Sequence, residues 1–108
     1  MSEYPARGRR RPPTHPGELL WEDVLPAMAI SVGEFARRIG VSRQVVHRIL
    51  AETHGLTPEM ALRIGRFVGN GPGLWLRMQQ EYDLWYASRT LKETLSGIEQ
   101  YQPEKRAA

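Results

Sequence analysis

Hydrophobic residues recur every three or four positions along most of the chain, which is the spacing of amphipathic α-helices. Leu20, Val24 and Met28 form the first of these stripes. Four more follow, within residues 35–39, 46–50, 60–68 and 74–86. We find no convincing alternation with a period of two, the pattern typical of strands. The sequence therefore predicts an all-α protein of about five helices, the last of them longer than the others.

Polar residues and a glycine mark where two central helices begin and end. Ser31 is a suitable N-cap, and Glu34 three residues later completes the pattern of a capping box. Gly40 is expected to end this helix, because glycine takes the left-handed conformation with little strain. Ser42 is the expected N-cap of the next helix, which is predicted to run to about residue 51.

Prolines and a second glycine limit the other helices. Thr57 followed by Pro58 predicts a helix start, since the missing amide of proline costs nothing in the first turn. Pro26 is expected to end or kink the first helix, because it removes an amide donor and disfavours the α conformation just before it. The long helix is expected to begin near Leu74 and to fray at Gly97.

Two short helices joined by a turn containing glycine form the pattern of a helix-turn-helix. Ala36 has to be small because the second helix crosses over it. Val41 fills the gap between the helices, and Val46 and Ile49 hold the second helix on the first. The remaining positions of the second helix form one outward face of hydrogen-bond donors: Ser42, Arg43, Gln44, His47 and Arg48.

This face suits the major groove of DNA. Arginine can form two hydrogen bonds with guanine, and glutamine can form two with adenine. Because the N-terminal residues of a recognition helix reach the base edges, Arg43 and Gln44 are the expected base readers. His47 and Arg48 lie a turn further on and are expected to contact a base or a phosphate.

The preceding helix is expected to contribute contacts with the DNA backbone. Its outward residues Arg37 and Arg38 belong to the predicted DNA-binding set, and its first amides, near Val32 and Gly33, can bind a phosphate oxygen. An exposed basic helix face is more often merely solvated. Here the face coincides with the spacing of a helix-turn-helix and with two capping signals, and that coincidence favours DNA binding.

The distribution of charge is consistent with a polyanionic partner. The net charge is +3, and residues 31–77 hold seven arginines against three glutamates. Residues 1–14 are rich in arginine, proline and glycine and are expected to form a disordered basic arm, which could follow a minor groove, lie on a partner protein or do neither.

Several classes of function are disfavoured. The chain has no cysteine, and no apolar run approaches the roughly 20 residues that cross a bilayer, so a soluble cytoplasmic protein is expected. His15 and Glu18 have a spacing that suits a metal, but nothing brings further ligands to them. Ser42 and His47 lack a carboxylate that would complete a catalytic triad. We expect no enzyme activity, metal or cofactor.

Large aromatic residues in the long helix suggest a protein interface. Trp75 is expected to pack that helix onto the bundle. Trp85 and Tyr86 come later, where less of the domain remains to cover them, and exposed aromatics are typical interface anchors. Together with Tyr82 they are the interface candidates, and residues 78–98 are expected to contact a second subunit or a toxin.

From His15 onward the chain resembles the HigA antitoxins of the Xre/Cro-type helix-turn-helix group. The resemblance spans roughly residues 15–95 and lies in "HPGELL", "EFARRIGVSRQVVHRILAE", "LTPEMALRIGRFVG" and "LWLRMQQEYDLWYA". It implies a lambda-repressor-like fold and a dimer that binds a palindromic operator. It also implies a protein partner, a HigB toxin that cleaves mRNA. The turn "AETHGLT" departs from the Asn-Gly-basic turn common in the family, and Glu52 makes a phosphate contact there doubtful.

These observations give a division of the chain and two alternatives. Residues 1–14 are the arm, 15–90 the helix-turn-helix domain, and 91–108 a C-terminal helical extension and flexible tail. The expected function is that of an antitoxin and autorepressor associated with the nucleoid. A stand-alone Xre-type repressor without a toxin and an RNA-binding helical module are the alternatives.

Overall fold

The computed structural model describes residues 11–103, and in this part of the chain every regular element is helical. The elements are α1 (Pro16–Leu19), a π-helical turn (Leu20–Val24), α2 (Leu25–Met28), α3 (Val32–Ile39), α4 (Arg43–Leu50), α5 (Pro58–Val68), α6 (Gly73–Thr90) and α7 (Lys92–Ser96). The predicted all-α class is confirmed. Residues 16–28 are continuous and are called the first helical segment.

Pro26 does not end this segment, so that part of the prediction is wrong. The turn before it widens into the π-helical turn, in which the amide of Leu25 donates to the carbonyl of Leu20 five residues earlier. Proline then falls in the first turn of α2, where its missing amide is tolerated. The segment ends instead at Ala29, which adopts the left-handed conformation with φ of 57°.

The predicted N-caps are confirmed by their hydrogen bonds. The hydroxyl of Ser31 accepts from the amide of Glu34 at 3.1 Å, and the hydroxyl of Ser42 accepts from the amide of Val45 at 3.1 Å. Thr57 caps α5 in the same way. The helices α3, α4 and α5 therefore each begin where a side chain satisfies an otherwise unpaired backbone donor.

One core joins the first helical segment to α3, α4, α5 and the start of α6. Its fully buried side chains include Leu20, Phe35, Val46, Ile64 and Trp75. The prediction for Trp75 is confirmed, and its indole nitrogen donates to the side chain of Asn70 at 3.0 Å. Gly17 packs so closely on α4 that a methyl group there would overlap the carbonyl oxygen of Ile49.

A buried glutamine connects α6 to the loop between α4 and α5. Gln79 accepts a hydrogen bond from the amide of Leu56 at 2.8 Å and donates to Asp83 at 2.9 Å. Sequence reasoning did not single it out. Its position four residues after Trp75, on the inward stripe of α6, was the available signal.

The last elements leave the core. The long helix does not continue to Gly97 as predicted, because α6 ends at Thr90 and the separate α7 ends at Ser96 with Gly97 as its C-cap. Residues 91–103 are exposed throughout. Between residues 11 and 103, no helix has the length and apolar character to cross a membrane. Most of the predicted basic arm, and the end of the predicted tail, lie outside the described residues.

Candidate nucleic-acid interface

The turn between α3 and α4 is held by backbone hydrogen bonds around Gly40. This glycine has φ of 82°, and its amide and that of Val41 both donate to the carbonyl of Ala36, at 2.9 and 3.0 Å. This is the Schellman arrangement that ends a helix at a left-handed residue. Val46 and Ile49 are buried as predicted. The turn consequently fixes the direction in which α4 leaves α3.

Arg63 of α5 braces the same turn. Its guanidinium donates to the carbonyl of Ile39 at 2.8 Å and to that of Gly40 at 3.4 Å. Glu59 orients it from one turn earlier, at 3.0 and 3.1 Å. The sequence suggested only a basic charge here. The structure shows a hydrogen-bonded strut that satisfies carbonyls at the end of α3.

The five predicted donors of α4 are all exposed and follow one another on its outward side. Ser42, Arg43 and Gln44 belong to its first turn, and His47 and Arg48 lie one turn later. The hydroxyl of Ser42 accepts the capping bond and keeps its own proton available for donation. The arrangement presents hydrogen-bond donors over about one and a half turns of helix.

Arg43 extends toward the start of α3. Its Nε and Cδ atoms lie 3.4 and 3.5 Å from the point where a side chain on Gly33 would begin. The guanidinium therefore sits beside the first amides of α3, which were predicted to bind phosphate. This position of Arg43 suits both a phosphate contact and a base contact. Gln44 is exposed in the same turn of α4.

Arg37 and Arg38 are exposed, and both lie near Glu34. Arg38 forms an ion pair with Glu34 at 3.3 Å and lies over the ring of Phe67 at 5.0 Å. Arg37 is 3.9 Å from the same carboxylate. Exposed pairs of this kind contribute little and exchange readily, so both arginines can still turn to a phosphate.

The far end of α4 has a different character from its start. Arg48, predicted to contact a base or a phosphate, lines one groove together with His54. Glu52 takes a left-handed conformation with φ of 61°, and its side chain lines a cavity shared with His15 and Tyr82. Its carboxylate therefore faces the first helical segment and α6.

The three interface candidates differ in exposure. Tyr86 is exposed and Tyr82 is half-buried. Trp85 is only 8% exposed, so the expectation that it lies on the surface is wrong. The guanidinium of Arg89 covers its ring, with Cζ 3.6 Å from the ring centroid, and Tyr86 packs against it edge-on at 5.0 Å. An interface role for these residues remains a prediction.

His15 has a structural task. It is the N-cap of α1, where its Nδ1 accepts from the amide of Gly17 at 2.9 Å, and its ring meets that of Tyr82 edge-on at 4.7 Å. Burial lowers its pKa below the usual 6.5. Within residues 11–103 there is no cluster of three or more side chains suited to hold a metal ion.

The braced turn, the buried contacts of α4 and its exposed donors define a helix-turn-helix protein. No protein-family model matches the chain. It is 38% identical over 85 residues to virulence-associated protein I of Dichelobacter nodosus, covering 79% of each chain. It is 33% identical over 79 residues to antitoxin HigA-1 of Vibrio cholerae serotype O1, covering 73% of this chain and 74% of that one.

The fold leads to the same group. The solved structure of Pseudomonas aeruginosa antitoxin HigA with the higBA promoter superposes with a TM-score of 0.78 at 33% identity. The superposition covers 83% of this chain and 99% of that one. The chain belongs to the HigA family of helix-turn-helix antitoxins. The resemblance seen in the sequence is confirmed.

Proposed function

We propose that this protein is an antitoxin that neutralises a HigB-type, mRNA-cleaving toxin and represses its own operon by binding operator DNA as a dimer. The observation that carries the proposal is the exposed donor face of α4, set by a helix-turn-helix in a chain that resembles an antitoxin solved with promoter DNA. In this role the protein is not an enzyme. Its place is the cytoplasm, at the nucleoid.

The proposed reading of DNA divides the donors by position. Gln44 and Arg43 read base edges from the first turn of α4, and His47 and Arg48 contact a base or a phosphate further along. The amides of Val32 and Gly33 receive a phosphate oxygen at the positive end of α3. Arg37 and Arg38 add phosphate contacts.

A dimer would place two copies of α4 in successive major grooves, about 34–36 Å apart on a palindromic operator. Binding should weaken steeply with salt, because each arginine–phosphate contact releases counterions. The arginines at positions 7 to 11, most of them outside the described residues, are proposed to add affinity that does not depend on sequence.

Substitutions on α4 test the base-reading roles. Gln44→Ala and Arg43→Ala should each reduce the preference for operator over random duplex by about 5- to 100-fold, the equivalent of one lost bidentate contact. Fluorescence anisotropy with the operator upstream of the gene and a scrambled duplex measures this preference.

The matched control is Arg66→Ala, an exposed arginine on α5 outside the helix-turn-helix. It is expected to change affinity for both duplexes alike, if at all. Equal loss of affinity for both duplexes in the α4 variants would show that Arg43 and Gln44 do not read bases. Tighter binding to a structured RNA than to the operator would instead favour the RNA-binding alternative.

The toxin partner separates the proposed function from a stand-alone repressor. Purification of the chain from its native host should bring with it a small basic protein encoded beside it. That protein should cleave mRNA when it is freed from the antitoxin. Isolation of the chain without such a protein, and no toxin-sized reading frame beside the gene, would favour the stand-alone repressor.

A further inference from the structure

The first helical segment has a charge opposite to that of the DNA-binding face. Between residues 12 and 36 there is no lysine or arginine, although the chain as a whole has a net charge of +3. Glu18, Glu22 and Asp23 are exposed there. None of these three carboxylates has an ion-pair partner among residues 11–103. This segment is an acidic surface on a basic protein.

An apolar groove begins at Trp21, the residue just before Glu22 and Asp23, whereas Glu18 lines a separate cavity with Arg11, His15 and Glu52. Trp21 is 56% exposed at the edge of the groove. The groove has a volume of about 390 Å³, and its other lining residues are Leu25, Pro26, Ala29, Ile30, Ser31 and Val32. Glu18 and Glu22 are neighbours one helical turn apart, and Trp21 lies between them in sequence. A large exposed aromatic at an apolar groove is typical of the anchor point of a protein interface.

The charge of this surface limits what can cover it. DNA is repelled by the three carboxylates. A second copy of the chain is disfavoured too, because a two-fold interface places the same patch on both sides, so that acid faces acid. A basic protein complements the surface. A ribonuclease that holds mRNA needs such positive charge for its own substrate.

We infer that the Trp21 groove and the carboxylates of Glu22 and Asp23 form the docking surface for the basic ribonuclease toxin. The toxin places an apolar side chain in the groove and lysine or arginine side chains opposite the carboxylates. This inference rests on the proposed antitoxin function and adds the surface through which it acts. DNA and toxin then occupy neighbouring surfaces of different charge, since Val32 lines the groove and its amide is also proposed to receive a DNA phosphate.

The test uses the full-length chain and the small basic protein that co-purifies with it. Trp21→Ala and the double reversal Glu22→Lys with Asp23→Lys should each weaken binding in calorimetry by more than about tenfold. The control for the first is Leu62→Ala, another exposed apolar residue at 59% exposure. The control for the second is Glu99→Lys with Glu104→Lys, which changes the net charge equally in the predicted C-terminal tail, outside residues 78–98.

Operator affinity should be equal in Trp21→Ala and Leu62→Ala, since neither substitution changes a charge. If the groove variants bind the toxin as their controls do while the native chain binds it tightly, the surface is wrong and the antitoxin function stands. If the native chain binds no such protein, the proposed antitoxin function and the proposed docking surface are both wrong. A lower molar mass of the groove variants alone, by light scattering, would show that a second copy covers the groove and would overturn the inference.

Discussion

At the scale of single residues, His15 combines a capping role with a group that can titrate. Its Nδ1 must be unprotonated to accept the amide hydrogen of Gly17. Burial lowers its pKa, while the nearby carboxylates of Glu52, Asp83 and Glu18 act in the opposite direction. The net direction is downward, so the folded protein holds the neutral form more strongly than the unfolded chain does.

This shift predicts a loss of stability in mild acid. The contribution of His15 is complete above its unfolded pKa of 6.5 and is lost as the pH falls through the lower pKa of the folded state. Urea unfolding at about pH 7.5 and pH 5.5 measures it as a decrease in the free energy of unfolding. His15→Asn can accept the same hydrogen bond without titrating and should lose less stability over that interval. An equal loss in both proteins would contradict the role of His15.

Glu52 stores backbone strain, because a residue with a β-carbon has φ of 61° there. Replacing it with glycine should raise the free energy of unfolding by up to about 1 kcal/mol. Glu52→Ala is the control, since it removes the same charge but keeps the β-carbon and the strain. Urea unfolding of the two variants distinguishes backbone strain from the charge of the carboxylate as the source of the gain in stability. An equal gain in Glu52→Gly and Glu52→Ala would show that the charge is responsible.

At the scale of helices, the sequence predicts what neighbouring residues determine. The N-cap side chains accept a hydrogen bond from the amide three positions later, as seen at Ser31, Ser42 and Thr57. Gly40 closes the turn between α3 and α4. These signals act over a few residues and are visible in the chain itself. They are sufficient to predict the helix-turn-helix and its exposed donors.

Contacts between distant residues were not predictable in this way. The bonds from the Leu56 amide to Gln79 and from Arg63 to Ile39 join residues 23 and 24 positions apart. Neither leaves a periodic pattern. The burial of Trp85 has a different cause, since its near neighbours Tyr86 and Arg89 cover a ring that helical spacing alone predicts to face outward.

The Arg63 strut gives a prediction for the packing of α5 against the end of α3. Arg63→Met keeps the aliphatic part of the side chain and removes its donors, and should lower the free energy of unfolding by about 1–2 kcal/mol. The estimate is modest because the side chain is 37% exposed. Arg66→Met, an exposed arginine on the same helix, should change stability by less than about 0.5 kcal/mol. Equal effects in urea unfolding would show that the hydrogen bonds to Ile39 and Gly40 contribute nothing.

At the scale of the whole molecule, an unburied apolar stripe follows the last two helices. Leu84, Leu91 and Ile98 repeat at intervals of seven residues, and all are exposed. Leu95 and Ala87 lie between them. Leu91 lies at the break between α6 and α7 and Ile98 lies just beyond α7, so these residues form an exposed apolar surface and not one continuous heptad helix. Residues 78–98 therefore stay the predicted contact with a second subunit or a toxin.

Substitution in the stripe tests the dimer. Leu91→Glu with Leu95→Glu should convert it to a monomer, because burying two carboxylates at the subunit contact is unfavourable. Light scattering measures the molar mass, and Leu62→Glu is the control on an exposed position of α5. The native mass in the double variant would place the subunit contact elsewhere. Removal of residues 88–108 should give a monomer as well.

The contact between Gly17 and the carbonyl of Ile49 leaves no clearance between the first helical segment and the DNA-reading helix. The contact therefore joins the segment that carries the acidic groove directly to the helix that carries the base-reading side chains. Toxin and operator bind the same chain in the proposed function, so their binding equilibria are thermodynamically linked. By whatever factor the operator alters the dissociation constant of the toxin, the toxin must alter that of the operator by the same factor.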